Sequence, residues 1–225
     1  MLLAIDTATN VAGIALADAQ GTRGLFQWRT ERNHTVELLP NIVALLSRSG
    51  VTSRELKAIA VASGPGSYTG LRIGLSVAKG FCYAQGAALI GVPTLDISAY
   101  AYEPATAALC AVLQAGRGRL AVRFYRPARA GTGRVWQAAG ASWLGRADEL
   151  AALCADDDGH RRVFFAGEID DISEKVLRER LGPRAAFAPS TERTRDPRVL
   201  ARLAWERWQC GQIESIEAFA PDYGQ

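Results

Sequence analysis

The sequence predicts an α/β chain of two similar halves, each a mixed sheet covered by helices. Three observations carry this. Short apolar runs alternate with stretches of helical spacing. The order strand–strand–strand–helix–strand–helix reads once before Tyr100 and again after Ala107. Glycine-rich turns stand where strands give way to helices.

Each element has its own signal. Leu2–Ile5 is an apolar run that ends at Asp6, and Thr7, Thr9 and Asn10 supply the turn into a returning strand over Val11–Ala17. Asp18–Gly21 turns the chain again, into a third strand near Leu25–Thr30. Val36, Leu39, Ile42, Val43 and Leu46 then recur at helical spacing as one apolar face, and Gly50 stops that helix. A buried strand at Ala58–Ala62 leads through the turn Gly64–Gly70 into a helix from Leu71 to Ala84, and Ala88–Gly91 closes the half. The second half reads as strands at Leu109–Leu113, Leu120–Tyr125 and Val135–Ala138, a helix at Ala147–Ala155, a strand at Val163–Ala166 and a helix at Ile172–Leu181. A last helix, Asp196–Cys210, carries Leu200, Leu203, Ala204 and Trp208 on one side. Hairpins followed by a crossover helix make a mixed sheet, and two such halves are the element order of the actin-like ATPase (ASKHA) fold. The expected lobes are 1–102, carrying any partner surface, and 103–225.

Composition sets outer limits. At 225 residues, 48% hydrophobic and 22% charged, the chain has the balance of a globular protein with a sizeable core. A net charge of +3 permits contact with RNA without arguing for it. Cys82, Cys110, Cys154 and Cys210 form no C-x-x-C pair, which reads as reduced thiols. The first apolar residues meet Asp6 too soon for a secretion signal, and no run reaches the roughly 18 apolar residues of a spanning helix. A cytoplasmic protein with no membrane contact is expected.

Four motifs could carry chemistry. Asp6 and Thr7 stand at a strand-to-strand turn where a carboxylate could hold Mg²⁺ and backbone could meet phosphate; equally, they could simply be turn residues bonded to nearby backbone. Gly64–Gly80 reads as strand, glycine turn and helix, with Ser67 or Thr69 as the cap and amides near Gly66 and Ser67 that could attract an anion. Its glycines fit neither a Walker A loop nor the dinucleotide fingerprint. Gly70, Gly74 and Ala78 form a small-residue stripe that needs a close neighbour, either inside this chain or on another subunit. Arg117, Arg119 and Arg123 alternate along a strand, as a phosphate track or as the charged guard of an edge strand. Of the two histidines, His34 heads the first helix as a cap or surface residue, and His160 follows Asp156–Gly159 in a polar loop too irregular for a Ca²⁺ site.

The run from Gly64-Pro65-Gly66-Ser67-Tyr68 through Arg72-Ile73-Gly74 to Lys79-Gly80 resembles the signature of the TsaB (YeaZ) family almost residue for residue. Leu3–Thr9, His34–Pro40 and Leu89–Asp96 are similar to the same family. The resemblance is dense through Asp96 and sparse beyond it. It implies a non-catalytic scaffold subunit of the bacterial machinery that places threonylcarbamoyladenosine on tRNA, paired with and activating its catalytic paralogue TsaD, with TsaE assembling further and TsaC and tRNA reached through the complex. It also implies a pairing surface on the first two helices: Val36, Leu39, Val43, Gly70, Leu71, Arg72, Gly74, Leu75, Ala78 and Lys79. Isolated chains would form a homodimer through the same helices. The metal-binding histidines of TsaD align with Thr94 and Ser98, and hydroxyls are poor substitutes for imidazole. No catalytic residue, metal or cofactor of its own is implied, and ATP with Mg²⁺ would enter only at the complex interface. Gln114-Ala115-Gly116-Arg117 departs from the family's Asp-Ala-Arg-Arg, and Glu168 would stand beside any phosphate in the second half. The rivals to this reading are a free-standing actin-like kinase or ATPase using Asp6, and a peptidase, against which no nucleophile–base pair is found.

Overall fold

The computed structural model describes residues 1–31, 33–102, 108–128, 135–156 and 162–223. They form two compact units, one of Met1–Ile97 with Asp196–Tyr223 and one of Ser98–Arg195. The expected second lobe, 103–225, is corrected at its far end, because the last helix packs on the first sheet.

In the first unit β1 (Leu2–Asp6), β2 (Val11–Asp18), β3 (Gly21–Arg29), β4 (Ala58–Ala62) and β5 (Ala88–Val92) form one sheet in the order β3-β2-β1-β4-β5. β1 runs antiparallel to β2, with Leu2 opposite Ala17, and parallel to β4, with Leu2 opposite Ala58. Side chains alternate across a sheet. Leu3, Ile5, Ile14, Leu16, Ile59 and Val61 face helices α1 (His34–Arg48) and α2 (Tyr68–Gln85) in one apolar cluster. The opposite face is built of Ala4, Ala15, Ala58 and Ala60, all fully buried. That shallow surface receives α6 (Pro197–Gln209) through Leu200, Ala201 and Ala204. The approach is so close that a Cβ on Gly13 would strike the Pro197 ring.

The second unit repeats the topology. β6 (Ala108–Gln114), β7 (Leu120–Pro127), β8 (Trp136–Gly145), β9 (Val163–Gly167) and β10 (Ala185–Phe187) follow the order β10-β9-β6-β7-β8, again with an antiparallel hairpin beside parallel crossover pairs. Helices α4 (Ala147–Asp156) and α5 (Asp171–Leu181) bury Leu150, Cys154, Leu177 and Leu181 against Val112, Val122 and Phe165. Two mixed sheets of matching strand order make this the actin-like ATPase fold. β8 extends well past the expected Val135–Ala138, and the three-residue β10 gives too short a signal to read. Asp157–His160 and Arg129 lie outside the described residues. The short helix α3 (Thr94–Ala99) follows β5 in the chain.

After α6 the chain continues as a strap. The Glu214 amide donates to the Leu89 carbonyl beside β5, the Phe219 ring covers Gly91, and the Asp222 amide donates to the Ser63 carbonyl at 2.7 Å. The strap covers the free edge of β5, which would otherwise offer unpaired backbone.

Candidate functional site

Asp6, Thr7, Gly66 and Ser67, far apart in sequence, come together where the β1–β2 turn meets the β4–α2 loop. The Asp6 carboxylate accepts the Ala8 amide at 2.9 Å, the Ser67 amide donates to the Ala8 carbonyl at 2.6 Å, and the Ser67 hydroxyl accepts from the Gly70 amide at 3.2 Å as the cap of α2. Thr7 is 2% exposed and its hydroxyl donates to the Gly70 carbonyl at 2.7 Å. The Asp222 carbonyl lies against Gly64. These amides are spent on neighbouring oxygens, and the carbonyls of Thr7 and Ala8 point at the glycines. A phosphate needs free amides at such a turn. The residues present therefore fit a closed structural seam better than a nucleotide cradle.

The small-residue stripe belongs to the same seam. A Cβ on Gly66 would stand 2.6 Å from the Ala8 carbonyl oxygen; one on Gly70 would collide with the Thr7 carbonyl, and one on Gly74 with the Thr7 hydroxyl. Gly70, Leu71, Gly74, Leu75 and Ala78 are all buried within the first unit. Of the two readings of the stripe, the intramolecular one holds, and these five residues leave the set of surface contacts. What α2 turns outward is Tyr68, Arg72 and Tyr83, with Lys79 half-buried.

α1 is apolar on two sides, not one. Leu38, Ile42, Leu45 and Leu46 enter the core. Val36, Leu39 and Val43, expected beside Ile42 and Leu46, lie on an adjoining face, 68%, 49% and 58% exposed. Their spacing of three and four residues makes one continuous strip. The outward faces of α1 and α2 flank a surface groove of about 410 Å³ lined by Thr35, Tyr68, Arg72 and Val77, among others.

His34 is neither cap nor surface residue, since Asn33 holds the cap position and His34 is 5% exposed. Its Nδ1 is buried without a partner. Burial pushes the imidazole pKa below 6.5, while the Thr9 carbonyl, Glu37 and Asp6 pull the other way. Thr94 is fully buried and its hydroxyl accepts the Gly64 amide at 3.1 Å, while the Ser98 hydroxyl is buried without a partner. No three His, Cys, Asp or Glu side chains gather as a metal site among the described residues.

The arginine track does not lie on an edge. β7 sits between β6 and β8, Arg117 occupies the left-handed region at φ 55° in the β6–β7 hairpin, and Arg123 bonds the Gly140 carbonyl at 3.3 Å. Glu168 is paired with the buried Arg195. Among the described residues, no helix is long and apolar enough to cross a membrane.

The chain matches a known family. The model of the family described as "TsaD: tRNA N6-adenosine threonylcarbamoyltransferase" matches residues 14–140, more than half of the chain. The chain belongs to this family, on its TsaB/YeaZ branch. It is similar to the tRNA threonylcarbamoyladenosine biosynthesis protein TsaB of Bacillus subtilis, with 27% identity over 99% of this chain and 93% of that protein. It is also similar to the TsaB of Escherichia coli, with 39% identity over 42% of this chain and 40% of that protein. Among solved structures, YeaZ from Pseudomonas aeruginosa matches at a TM-score of 0.78 with 26% identity, covering 99% of this chain and 98% of that one. A protein described as similar to peptidase YeaZ from the same organism matches at 0.81 with 27% identity, covering 100% and 99%.

Two outcomes follow from the seam and from His34. Gly74→Ala should lower the stability of the folded chain by about 1–3 kcal/mol, because the new methyl group meets the bonded Thr7 hydroxyl; a denaturation midpoint equal to wild type would remove the seam from the account. For His34, the unfolded chain takes up a proton at the ordinary pKa while the folded chain resists it, so stability is complete above pH 6.5 and falls as the pH drops below it. Wild type should lose more stability between pH 7 and 5 than His34→Gln, as read by urea unfolding at each pH.

Proposed function

We propose that this chain is a non-catalytic partner subunit in tRNA threonylcarbamoyladenosine biosynthesis, and that it docks a TsaD-type transferase through the outward faces of α1 and α2. One observation carries the reading: Val36, Leu39 and Val43 form an exposed apolar strip on a helix whose other side already fills the core. A soluble chain that spends such side chains on water has use for them at an interface. Full burial of a valine or leucine side chain returns about 1.5–3 kcal/mol, so three of them can anchor a specific contact. The names of the relatives supply the pathway, and the paralogy with TsaD supplies the partner.

The non-catalytic part rests on two local facts. The hydroxyl of Thr94, aligned with a metal-binding histidine of TsaD, is engaged in a buried bond to the backbone of the glycine loop. At the turn that would hold phosphate, the amides of Ala8, Ser67 and Gly70 are bonded to neighbouring carboxylate, carbonyl and hydroxyl oxygens. In this reading TsaD performs the transfer, TsaE joins the pair, TsaC and tRNA are reached through the assembly, and ATP with Mg²⁺ acts at the complex interface. The isolated chain pairs with itself through the same strip until TsaD displaces the second copy.

Val43→Asp puts a charge in the middle of the strip without touching the core. It should weaken TsaD binding by at least about 30-fold in a purified titration, with the melting temperature unchanged. Unaltered affinity would overturn the interface. Turnover of Mg-ATP by the isolated chain would favour the ATPase reading instead.

A further inference from the structure

The groove between α1 and α2 has a chemical character that apolar docking alone does not use. Arg72 is its one charged lining residue. Tyr68–Gln85, the whole of α2, contains no aspartate or glutamate. Around Arg72 stand the hydroxyls of Thr35, Thr69 and Ser76, which are neutral, and the side chains of Ile73 and Val77, which are apolar. Arg72 forms no ion pair among the described residues. It is nevertheless held in place: its guanidinium lies 5.1 Å over the Tyr68 ring and donates to the Tyr68 hydroxyl.

Tyr68 is braced in turn by the strap. Its ring packs on that of Tyr223, with centroids 4.7 Å apart. Further along the same helix, the Lys79 ammonium donates to the Glu217 carbonyl at 3.4 Å, and the Tyr83 hydroxyl donates to the Glu217 carboxylate at 3.5 Å. The strap thus runs beside the outward flank of α2 and supports the residue that orients Arg72. An exposed arginine ordinarily keeps its rotamer freedom and loses it on binding; one already stacked and bonded has less to lose.

We propose that this groove receives an acidic segment of the partner protein, with Arg72 taking a carboxylate while Ile73 and Val77 take apolar side chains beside it, and with Tyr223 acting as a positioning residue through Tyr68. The inference rests on the α1–α2 interface reading and adds its charge. A protein segment is favoured over an RNA phosphate because the groove is partly apolar, lined by Ile73 and Val77, and its Thr35 precedes the exposed Val36 in α1. Among the described residues no acid pairs with Arg72, so the complementary charge belongs to the other side.

The test is a titration of the full chain against purified TsaD at low and moderate salt. Arg72→Gln should weaken binding about 10-fold at low salt and flatten the salt dependence, and Arg72→Glu should weaken it about 100-fold or more. Tyr223→Ala should weaken it less, keep the salt dependence, and be rescued by Tyr223→Phe, which retains the ring contact. If Val43→Asp abolishes binding while Arg72→Gln binds as wild type, the groove inference is wrong and the interface stands. If neither variant weakens binding, both fail. If Arg72→Gln spares TsaD binding but reduces tRNA retention by the assembled complex, the groove reads phosphate and the proposal is overturned.

Discussion

α2 lies so close to the β1–β2 turn that the contact is between backbones. The Thr7 hydroxyl reaches the Gly70 carbonyl, the Ser67 amide reaches the Ala8 carbonyl, and hydrogens are all that Gly66, Gly70 and Gly74 can present in the space that remains. Close-packed interiors leave no slack for an extra methyl group at such a contact. This approach fixes the rotation of α2 about its axis, and the rest follows. With the glycine side turned inward, Leu71, Leu75 and Ala78 enter the core, and Tyr68, Arg72 and Tyr83 are left facing out.

The same seam occupies the carboxyl ends of β1 and β4: the Ser67 amide donates to the Ala8 carbonyl, the Ala8 amide donates to the Asp6 carboxylate, and the Asp222 carbonyl lies against Gly64. The apolar side chains that this unit leaves exposed include Val36, Leu39 and Val43 on the outer side of α1.

Much of this was legible in the sequence, and the failures have physical causes. The element order, a cap at Ser67 or Thr69 and the two-unit repeat could be read because hairpin turns and apolar runs are local signals. The direction of α1 could not: Val36, Leu39 and Val43 share helical spacing with Ile42 and Leu46, and a helix apolar on two sides gives a periodicity with no single answer. The stripe Gly70–Gly74–Ala78 announced a close neighbour, but spacing carries no information on whose backbone that is. The placement of α6 was missed because it follows the second unit in the chain; the alternating alanines of β2 and β4, Ala15 and Ala17 with Ala58, Ala60 and Ala62, were the available hint, since a flat, shallow sheet face admits a helix closely. His34 looked like a helix-start residue of no consequence, and only burial reveals its unpartnered nitrogen. The strap has no periodicity at all, and its role came from what it touches.

The most direct measurement is side-chain footprinting by hydroxyl radicals, on the chain alone and in complex with TsaD. The account predicts that Val36, Leu39, Val43, Tyr68 and Tyr83 are labelled in the free chain and shielded in the complex. Leu38, Ile42, Leu71 and Leu75 should stay unlabelled in both. Shielding of some other surface, with the outer faces of α1 and α2 labelled equally in the two states, would contradict it.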